Sequence, residues 1–233
     1  MVTIGITLGY DQHENYLHLK DYYLHAIKKA GGIPVLIPPL LNEKDLDSII
    51  SSLDGVLLSG GGDVDPYYFD EEPQPALGRI DPLRDKLELK LTHKALQSNL
   101  AVFGICKGMQ IMNIVYQGKV TQDLGDDGIK HSQNAPKWYP THYIELINKR
   151  DNPLLRITDN SYLRVNSFHH QGIKKKDLGE RLCIAALSSD QVIEALYDPE
   201  QEFFVGVQWH PERMKEESQH KLFKLFVESA RHN

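Results

Sequence analysis

The segment "LAVFGICKGMQIMNIV" (residues 100–115) sets the architecture of this chain. Its first six residues are mostly apolar and predict a buried β-strand, and residues 107–117 have the pattern of a helix. Cys106 stands between the two, with Gly104 two residues before it and Gly108 two residues after it. A cysteine that only fills space needs no such glycines. The spacing therefore predicts a sharp strand-to-helix turn that holds the cysteine in a strained, exposed conformation.

Strands and helices alternate in the part of the chain before this segment. The predicted elements are strands at residues 2–8, 33–39 and 55–59, a helix between Leu17 and Lys29, and helices that begin after Asn42 and after Asp81. Asn and Asp are common caps at helix N-termini. Strands that are apolar on both faces and alternate with helices indicate a parallel sheet covered on both sides.

The pattern changes after about residue 118, where strands follow one another with mostly short connections. These strands are predicted at residues 141–147, 162–167, 181–187, 192–197 and 203–209, before a closing helix at 215–230. Such a succession is typical of an antiparallel portion. Since the sequence shows no internal repeat or linker, we expect one α/β domain spanning residues 1–233.

Composition narrows the class of protein. Of the 233 residues, 41% are hydrophobic and 25% are charged, which is ordinary for a globular protein. A formal net charge of −6 argues against nucleic acid or a membrane surface as the main partner. The two cysteines, Cys106 and Cys183, do not resemble a secreted disulfide scaffold. With no signal-peptide pattern and no apolar run of membrane-spanning length, we expect a cytoplasmic protein.

Three predicted strands end in residues that core packing does not explain. These ends are Gly60-Gly61-Gly62, Cys106, and His210-Pro211-Glu212. Ligands of an open parallel sheet bind beyond the carboxyl ends of its strands. We therefore expect the three ends to converge on one edge of the sheet.

The converging residues can perform nucleophilic catalysis. The positive end of the helix that begins at Lys107 stabilises a thiolate on Cys106, His210 can act as its base, and Glu212 can orient the imidazole ring. The backbone amides of Lys107 and Gly61 are candidates for an oxyanion hole. Each feature alone also has a structural explanation: a core cysteine, a hydrogen-bonded histidine or a tight glycine turn. Their convergence favours catalysis.

Motifs along nearly the whole chain resemble the class I glutamine amidotransferase-like superfamily. Within it, the similarity is to the γ-glutamyl-γ-aminobutyrate hydrolase group of γ-glutamyl peptidases. The matching segments are "AGGIPVLIPP", "LLSGGGDVDP", "DPLRDKLE", "GICKGMQIMN", "VNSFHHQ" and "GVQWHPE". The chain departs from the group at Ser59, where proline is common, at Lys107, where arginine is common, and at Gln191, where glycine is common.

The resemblance implies a fold, a site and a pathway. The fold is a flavodoxin-like three-layer α/β/α sandwich with a mostly parallel central sheet and an antiparallel C-terminal portion. Cys106 is the implied nucleophile, His210 the base and Glu212 the third triad member, with no cofactor. The implied pathway is polyamine catabolism, in putrescine degradation. The implied substrate-binding residues are Gly60, Gly62, Gln110, Asn166, Ser167, Phe168 and His169, with Gln171 a further candidate. Hydrogen bonding within the loop is an equal alternative for the residues of "VNSFHHQ".

Two further features can be explained without a metal ion or a substrate contact. His169 and His170 suggest a metal site, but adjacent residues on a strand point to opposite faces, and no other cysteine or histidine spacing suggests zinc. We therefore expect no metal. Arg84 could pair with a substrate carboxylate, but an i,i+4 pair with Glu88 on a solvated helix face is the preferred interpretation.

The leading functional hypothesis is a stand-alone hydrolase of small γ-glutamyl amides that forms a thioester on Cys106. Its partner is a small γ-glutamyl compound, and the sequence is compatible with a homodimer. The alternatives are a glutaminase subunit that passes ammonia to a separate synthetase and a non-catalytic binding protein on the same scaffold. In the hydrolase, the loop from Asp63 to Arg79 is expected to shape the substrate opening. Its rings at positions 67–69 could wall a pocket or equally pack over the sheet edge.

Overall fold

The computed structural model describes residues 1–125 and 128–232 of the chain. Its main feature is a ten-stranded sheet, and a separate two-stranded hairpin lies beside it. The twelve strands are β1 Val2–Thr7, β2 Gly9–Asp11, β3 Tyr16–His18, β4 Gly32–Ile37, β5 Gly55–Leu58, β6 Ala101–Ile105, β7 His142–Leu146, β8 Tyr162–Val165, β9 Ile173–Lys174, β10 Cys183–Ser188, β11 Val192–Tyr197 and β12 Phe204–Val207. The five α-helices are α1 Tyr22–Lys29, α2 Glu43–Ile50, α3 Pro82–Gln97, α4 Lys107–Val115 and α5 Glu217–Ser229.

The sheet has a parallel half and an antiparallel half. Its order is β4-β1-β5-β6-β12-β11-β10-β7-β8, with β9 pairing with β11. The pairs from β4 to β12 are parallel, and those from β12 to β8 are antiparallel. Strand β12 joins the halves, because it runs parallel to β6 and antiparallel to β11. The predicted parallel sheet and antiparallel C-terminal portion are thus present.

Helices cover both faces of the sheet. One buried cluster packs α1 and α5 against the strands and is centred on aromatic residues such as Phe103, Phe223 and Phe226. The other packs α2, α3 and α4 on the opposite face through Leu46, Leu91 and other aliphatic side chains. This is the predicted three-layer α/β/α arrangement. No helix among the described residues is both long enough and apolar enough to cross a membrane.

Capping residues begin two of the helices where the sequence predicts. The Asn42 side chain accepts a hydrogen bond from the Asp45 N–H at the start of α2, and Asp81 accepts one from the Arg84 N–H at the start of α3. Each cap satisfies a backbone donor that has no partner within its helix.

Helix α1 begins later than predicted, at Tyr22 rather than near Leu17. Residues 9–18 instead form the β2–β3 hairpin. The His18 ring packs over Gly9, where a Cβ would lie 2.3 Å from the ring. The apolar residues with helical spacing, which predicted one helix between Leu17 and Lys29, lie on both sides of the boundary between the hairpin and α1.

Candidate active site

Cys106 occupies the sharp turn between β6 and α4 that its sequence neighbours predict. Its backbone has φ 53° and ψ −105°, a left-handed conformation that strains a residue with a side chain. A Cβ at Gly108 would lie 2.3 Å from the Leu58 carbonyl oxygen, and one at Gly104 would lie 2.3 Å from the Met112 sulfur. The two glycines are therefore required because the turn packs directly against β5 and its own helix.

His210 and Glu212 follow β12, the strand next to β6. The His210 Nδ1 donates a hydrogen bond to the Glu212 Oε1 at 2.8 Å, and both side chains are buried. Burial by itself would lower the pKa of His210, but the charges of Glu212 and Cys106 outweigh it and raise the pKa to about 10. Near neutral pH the ring therefore has a hydrogen on both nitrogens and is positively charged. A positively charged imidazole beside a cysteine is the charge state that accompanies a thiolate.

Asn166 holds the backbone of His210 in place. Its Oδ1 accepts from the His210 N–H at 2.8 Å, and its Nδ2 donates to the carbonyl oxygens of His210 at 3.0 Å and Lys137 at 2.8 Å. The side chain is completely buried. Both amide atoms are thus engaged within the protein, and Asn166 fixes the position of the histidine ring.

The glycine turn after β5 lies against the histidine. A Cβ at Gly60 would lie 2.7 Å from the His210 ring and 2.8 Å from the Tyr23 hydroxyl, which accepts a hydrogen bond from the Gly60 N–H. Within residues 1–125 and 128–232, the backbone N–H groups of Gly61 and Lys107 have no hydrogen-bond partner. Both N–H groups, at the turn and at the first turn of α4, are available for an oxyanion.

Two buried ion pairs pack against the glycine turn at residues 60–62. Arg84 pairs with Glu88 at 2.9 Å and donates to the carbonyl and hydroxyl oxygens of Ser59, while the Lys107 ammonium contacts Asp85 and donates to the Asp63 carbonyl at 3.0 Å. The predicted Arg84–Glu88 pair is present, but its placement on a solvated face was wrong. Thr7 and Ser59 close over it because α3 packs against the sheet edge.

A cavity of about 400 Å³ opens beside His210 and the glycine turn. It is lined by Gly9, His18, Leu19, Lys20, Tyr23, Ser59, Gly60, Gly61, Gly62, Arg79, Ile80, Asp81, Arg84, Lys107, Lys137, Phe168, His210 and Arg213. Of the residues that the resemblance implies for substrate binding, Gly60, Gly62 and Phe168 line this cavity. Phe168 lies edge-on to the His210 ring at 6.0 Å between centroids.

The other implied binding residues lie beneath the cavity wall. Gln110 is buried and donates to Gln208 at 3.3 Å. The Ser167 hydroxyl donates to the His131 carbonyl at 2.7 Å, and the His169 Nδ1 contacts the Gln171 carbonyl at 2.8 Å. These side chains are thus engaged by hydrogen bonds inside the protein, and of these contacts the one between His169 and Gln171 lies within the loop itself.

The wall of the cavity comes from a different loop than expected. Phe69 is buried in the core, Tyr68 packs partly against it and Tyr67 is exposed to solvent, and none of the three lines the cavity, so the structure agrees with the alternative that these rings pack over the sheet edge. The rings pack over the sheet edge because residues 66–69 form a 3-10 helix whose apolar side meets the α3 side of the core. Of the loop 63–79, Arg79 reaches the cavity. The β2–β3 hairpin and the residues after it supply another part of the wall, through Gly9, His18, Leu19, Lys20 and Tyr23.

Cations dominate the cavity lining, which sequence reasoning did not identify. Arg79 pairs with Asp11 and Arg213 with Glu212, whereas in the described part of the chain the ammonium groups of Lys20 and Lys137 have no carboxylate partner. These residues are far apart in sequence, so no local motif joins them. The cavity is suited to an anionic ligand.

Known proteins resemble the chain over most of its length. The Peptidase C26 family matches residues 3–212. The glutamine amidotransferase-like protein YvdE of Lactococcus lactis is 38% identical over 202 residues, covering 84% of this chain and 82% of that protein. The γ-glutamyl-γ-aminobutyrate hydrolase PuuD of Escherichia coli is 30% identical over 231 residues, covering 92% of this chain and 87% of that protein.

A solved structure confirms the fold. The glutaminase domain of Trypanosoma brucei CTPS with bound acivicin matches with a TM-score of 0.72 at 15% identity, covering 100% of this chain and 95% of that one. The predicted flavodoxin-like α/β/α class is therefore correct.

Proposed function

The chain belongs to the Peptidase C26 family of class I glutamine amidotransferase-like enzymes, and on this premise we propose that it hydrolyses small γ-glutamyl amides of the γ-glutamyl-γ-aminobutyrate type. The reaction passes through a thioester on Cys106. The 30% identical E. coli relative, named as a hydrolase of this compound, supports the proposal.

The reaction uses the groups at the strand ends. The Cys106 thiolate attacks the γ-carbonyl carbon, and the backbone N–H groups of Gly61 and Lys107 stabilise the oxyanion. Protonated His210 gives its proton to the leaving amine as the C–N bond breaks, and a thioester remains. His210 then removes a proton from water, the hydroxide oxygen attacks the thioester, and glutamate leaves as the thiolate is restored. Glu212 holds the ring and stabilises its charged form.

The observation that carries this proposal is the cationic wall of the cavity. The leaving group of glutamine is ammonia, which brings no charge that Lys20 or Lys137 could neutralise. γ-Aminobutyrate carries a carboxylate four atoms away from its nitrogen. A charge-assisted contact between this carboxylate and a lysine ammonium makes the substituted amide the better substrate.

The test compares three substrates with purified protein and no partner: γ-glutamyl-γ-aminobutyrate, glutamine, and γ-glutamylbutylamide, which has the same chain without the carboxylate. We expect the highest kcat/KM for the first. Lys137→Met should raise the KM for it about tenfold, the worth of one such contact, and change γ-glutamylbutylamide little. Lys149→Met, an exposed lysine outside the cavity, is the control.

A preference for glutamine, or activity that appears only when another protein is added, would instead support the glutaminase subunit. The Lactococcus lactis relative, which is described as glutamine amidotransferase-like, is the reason for testing that alternative. Absence of turnover on all three substrates would favour the non-catalytic protein.

A further inference from the structure

A second group of ionisable side chains lies behind the loop of residues 166–171, away from the cavity. This histidine–glutamate cluster consists of His131, His142, His169 and Glu194, all buried to nine-tenths or more. They come from four separate segments: the chain before β7, the start of β7, the loop after β8, and β11. Three of them place ligand atoms within 4.8 Å of one another, namely His131, His169 and Glu194.

Among the residues that the structure describes, several atoms of the cluster find no hydrogen-bond partner. They are the His131 Nδ1, both ring nitrogens of His142, the His169 Nε2 and both carboxylate oxygens of Glu194. Buried polar atoms are nearly always satisfied, because a buried atom without a partner has lost its hydrogen bonds to water and gained none in return. Such a concentration in one place calls for a ligand that satisfies them together.

Outer hydrogen bonds define which nitrogen of each ring faces the cluster. The His169 Nδ1 lies 2.8 Å from the Gln171 carbonyl oxygen, which only accepts, so this nitrogen carries the hydrogen and the Nε2 presents a lone pair. The His131 Nε2 lies 3.0 Å from the Asp190 Oδ2, which likewise directs the Nδ1 inward. Histidine ligands of metal ions are oriented in this way by a carbonyl or carboxylate on their other nitrogen.

The inward atoms surround one carboxylate oxygen. The Glu194 Oε1 lies 3.4 Å from the His131 Nδ1, 3.8 Å from the His169 Nε2 and 3.8 Å from the His142 Nε2. Ligand atoms of tetrahedral zinc, bonded at about 2.0–2.1 Å, are about 3.3 Å apart. If the His131 Nδ1 were also protonated, it could donate a hydrogen bond to the Glu194 Oε1. That bond would satisfy only one of the three contacts, and the lone pair of the His169 Nε2 would still face the carboxylate.

We propose that His131, His142, His169 and Glu194 bind one divalent transition-metal ion, of which zinc is the best match. Imidazole nitrogens favour zinc and its neighbours over magnesium or calcium, which prefer oxygen ligands. His131, His169 and Glu194 form the compact group of ligand atoms, and His142, which lies outside that group with its Nε2 3.8 Å from the Glu194 Oε1, is the candidate for the fourth position of a tetrahedral site. A surface cleft reaches the cluster at His142 and gives the ion a path to it; the cleft is lined by Ile129, Lys130, Gln133, Asn134, Ala135, Thr141 and His142.

Sequence spacing did not reveal this site, and we expected no metal because His169 and His170 point apart. They do: the His170 Nε2 contacts the Asp63 carboxylate at 3.1 Å. His169, however, meets ligands that arrive from distant segments. The ion would hold the loop of residues 166–171 to β7 and β11, and this loop carries Asn166, which positions His210. Since the cluster lies away from the cavity, the proposed metal site does not depend on which amide the enzyme cleaves.

The test measures metal directly on the full, untagged chain. The purified protein is analysed for metal content, stripped with a chelator, and titrated with Co²⁺ and then with Zn²⁺ while the visible Co²⁺ bands are recorded. We expect one equivalent of Co²⁺ with tetrahedral bands that Zn²⁺ abolishes, and a thermal midpoint that falls on stripping and returns with Zn²⁺.

Three variants localise the site. Glu194→Gln keeps the shape of the side chain and should weaken Co²⁺ binding tenfold or more, as should His142→Gln at the mouth of the cleft. His170→Gln, the neighbouring histidine outside the cluster, should bind Co²⁺ like the wild type. The proposal is overturned if the stripped wild type binds no Co²⁺ at micromolar concentration, if Glu194→Gln or His142→Gln binds it unchanged, or if His170→Gln loses it.

Discussion

Replacing Asn166 by alanine separates the positioning of His210 from the stability of the fold. The substitution removes three hydrogen bonds of 2.8–3.0 Å and takes away the acceptor of the buried His210 N–H, while the His210 carbonyl keeps its hydrogen bond from the Arg213 N–H at 3.2 Å. At about 1 kcal/mol for each bond, the free energy of unfolding should fall by about 3 kcal/mol. The side chain touches no reacting atom, so its effect on catalysis must act through the place of the imidazole ring.

The chain offers a matched control in Asn152. This asparagine is also buried and makes three hydrogen bonds, to the carbonyls of Ile147 and Ala185 and from the N–H of Leu154, and it is not among the residues that line the cavity. Asn152→Ala should therefore lose a similar free energy of unfolding. Only Asn166→Ala should lose kcat, by about tenfold or more, since misplacement of a catalytic group by about 1 Å can cost about a hundredfold.

The assay combines urea unfolding with steady-state kinetics on γ-glutamyl-γ-aminobutyrate, with kcat corrected for the native fraction of each variant. Equal kcat values for Asn166→Ala and Asn152→Ala would show that Asn166 only stabilises the fold. An unchanged kcat in Asn166→Ala would show that His210 keeps its place without the clamp. Either result would refute the positioning argument.

The other predictions concern the triad and a strained turn. Cys106→Ala should abolish turnover while the fold persists. Iodoacetamide should modify Cys106 before Cys183, as measured by mass spectrometry of the digested protein, even though Cys183 is the more exposed thiol. Labelling of Cys183 first would contradict the assignment of Cys106 as the nucleophile. Glu212→Gln should lower kcat less than His210→Asn, since glutamine can still hold the ring; equal, negligible losses would mean that other residues do the chemistry. The native pKa of His210, about 10, lies above its ordinary value of 6.5, so its stabilising effect is complete below pH 6.5 and is lost as the pH rises through about 10. Glu212→Gln should lower that pKa in an NMR titration and flatten the alkaline loss of stability, and an unchanged pKa would contradict the assigned cause. Gln191 has φ 66°, a backbone conformation that favours glycine. Gln191→Gly should raise the thermal midpoint by about 2–4 °C through relief of about 1 kcal/mol of strain, and a lower midpoint in calorimetry would show that the side chain stabilises the turn.

Local sequence was enough to predict the parts of the molecule whose cause is local. The Gly104–Cys106–Gly108 spacing predicted the strained turn because each glycine is required within a few residues of the cysteine. The caps at Asn42 and Asp81 are likewise short-range hydrogen bonds. The alternation of apolar strands and helices predicted the sheet, because burial on both faces leaves a direct mark on composition.

Features that join distant segments required the tertiary structure. The convergence of the three strand ends could be predicted from the sequence, since adjacent parallel strands end on one edge of a sheet. No such rule predicted that Asn166 would clamp His210, that the hairpin at residues 9–18 would supply Lys20 and its neighbours to the cavity, or that the tyrosines after Pro66 would turn away from it.

Periodicity and short spacings were enough to predict the fold class and to propose the triad. The cationic cavity and the histidine–glutamate cluster became visible only once the folded chain was known. Their members are separated along the chain, and whether they meet depends on strand register, on helix packing and on the direction of each side chain. These are set by packing across the whole sheet, and no short stretch of sequence carries them.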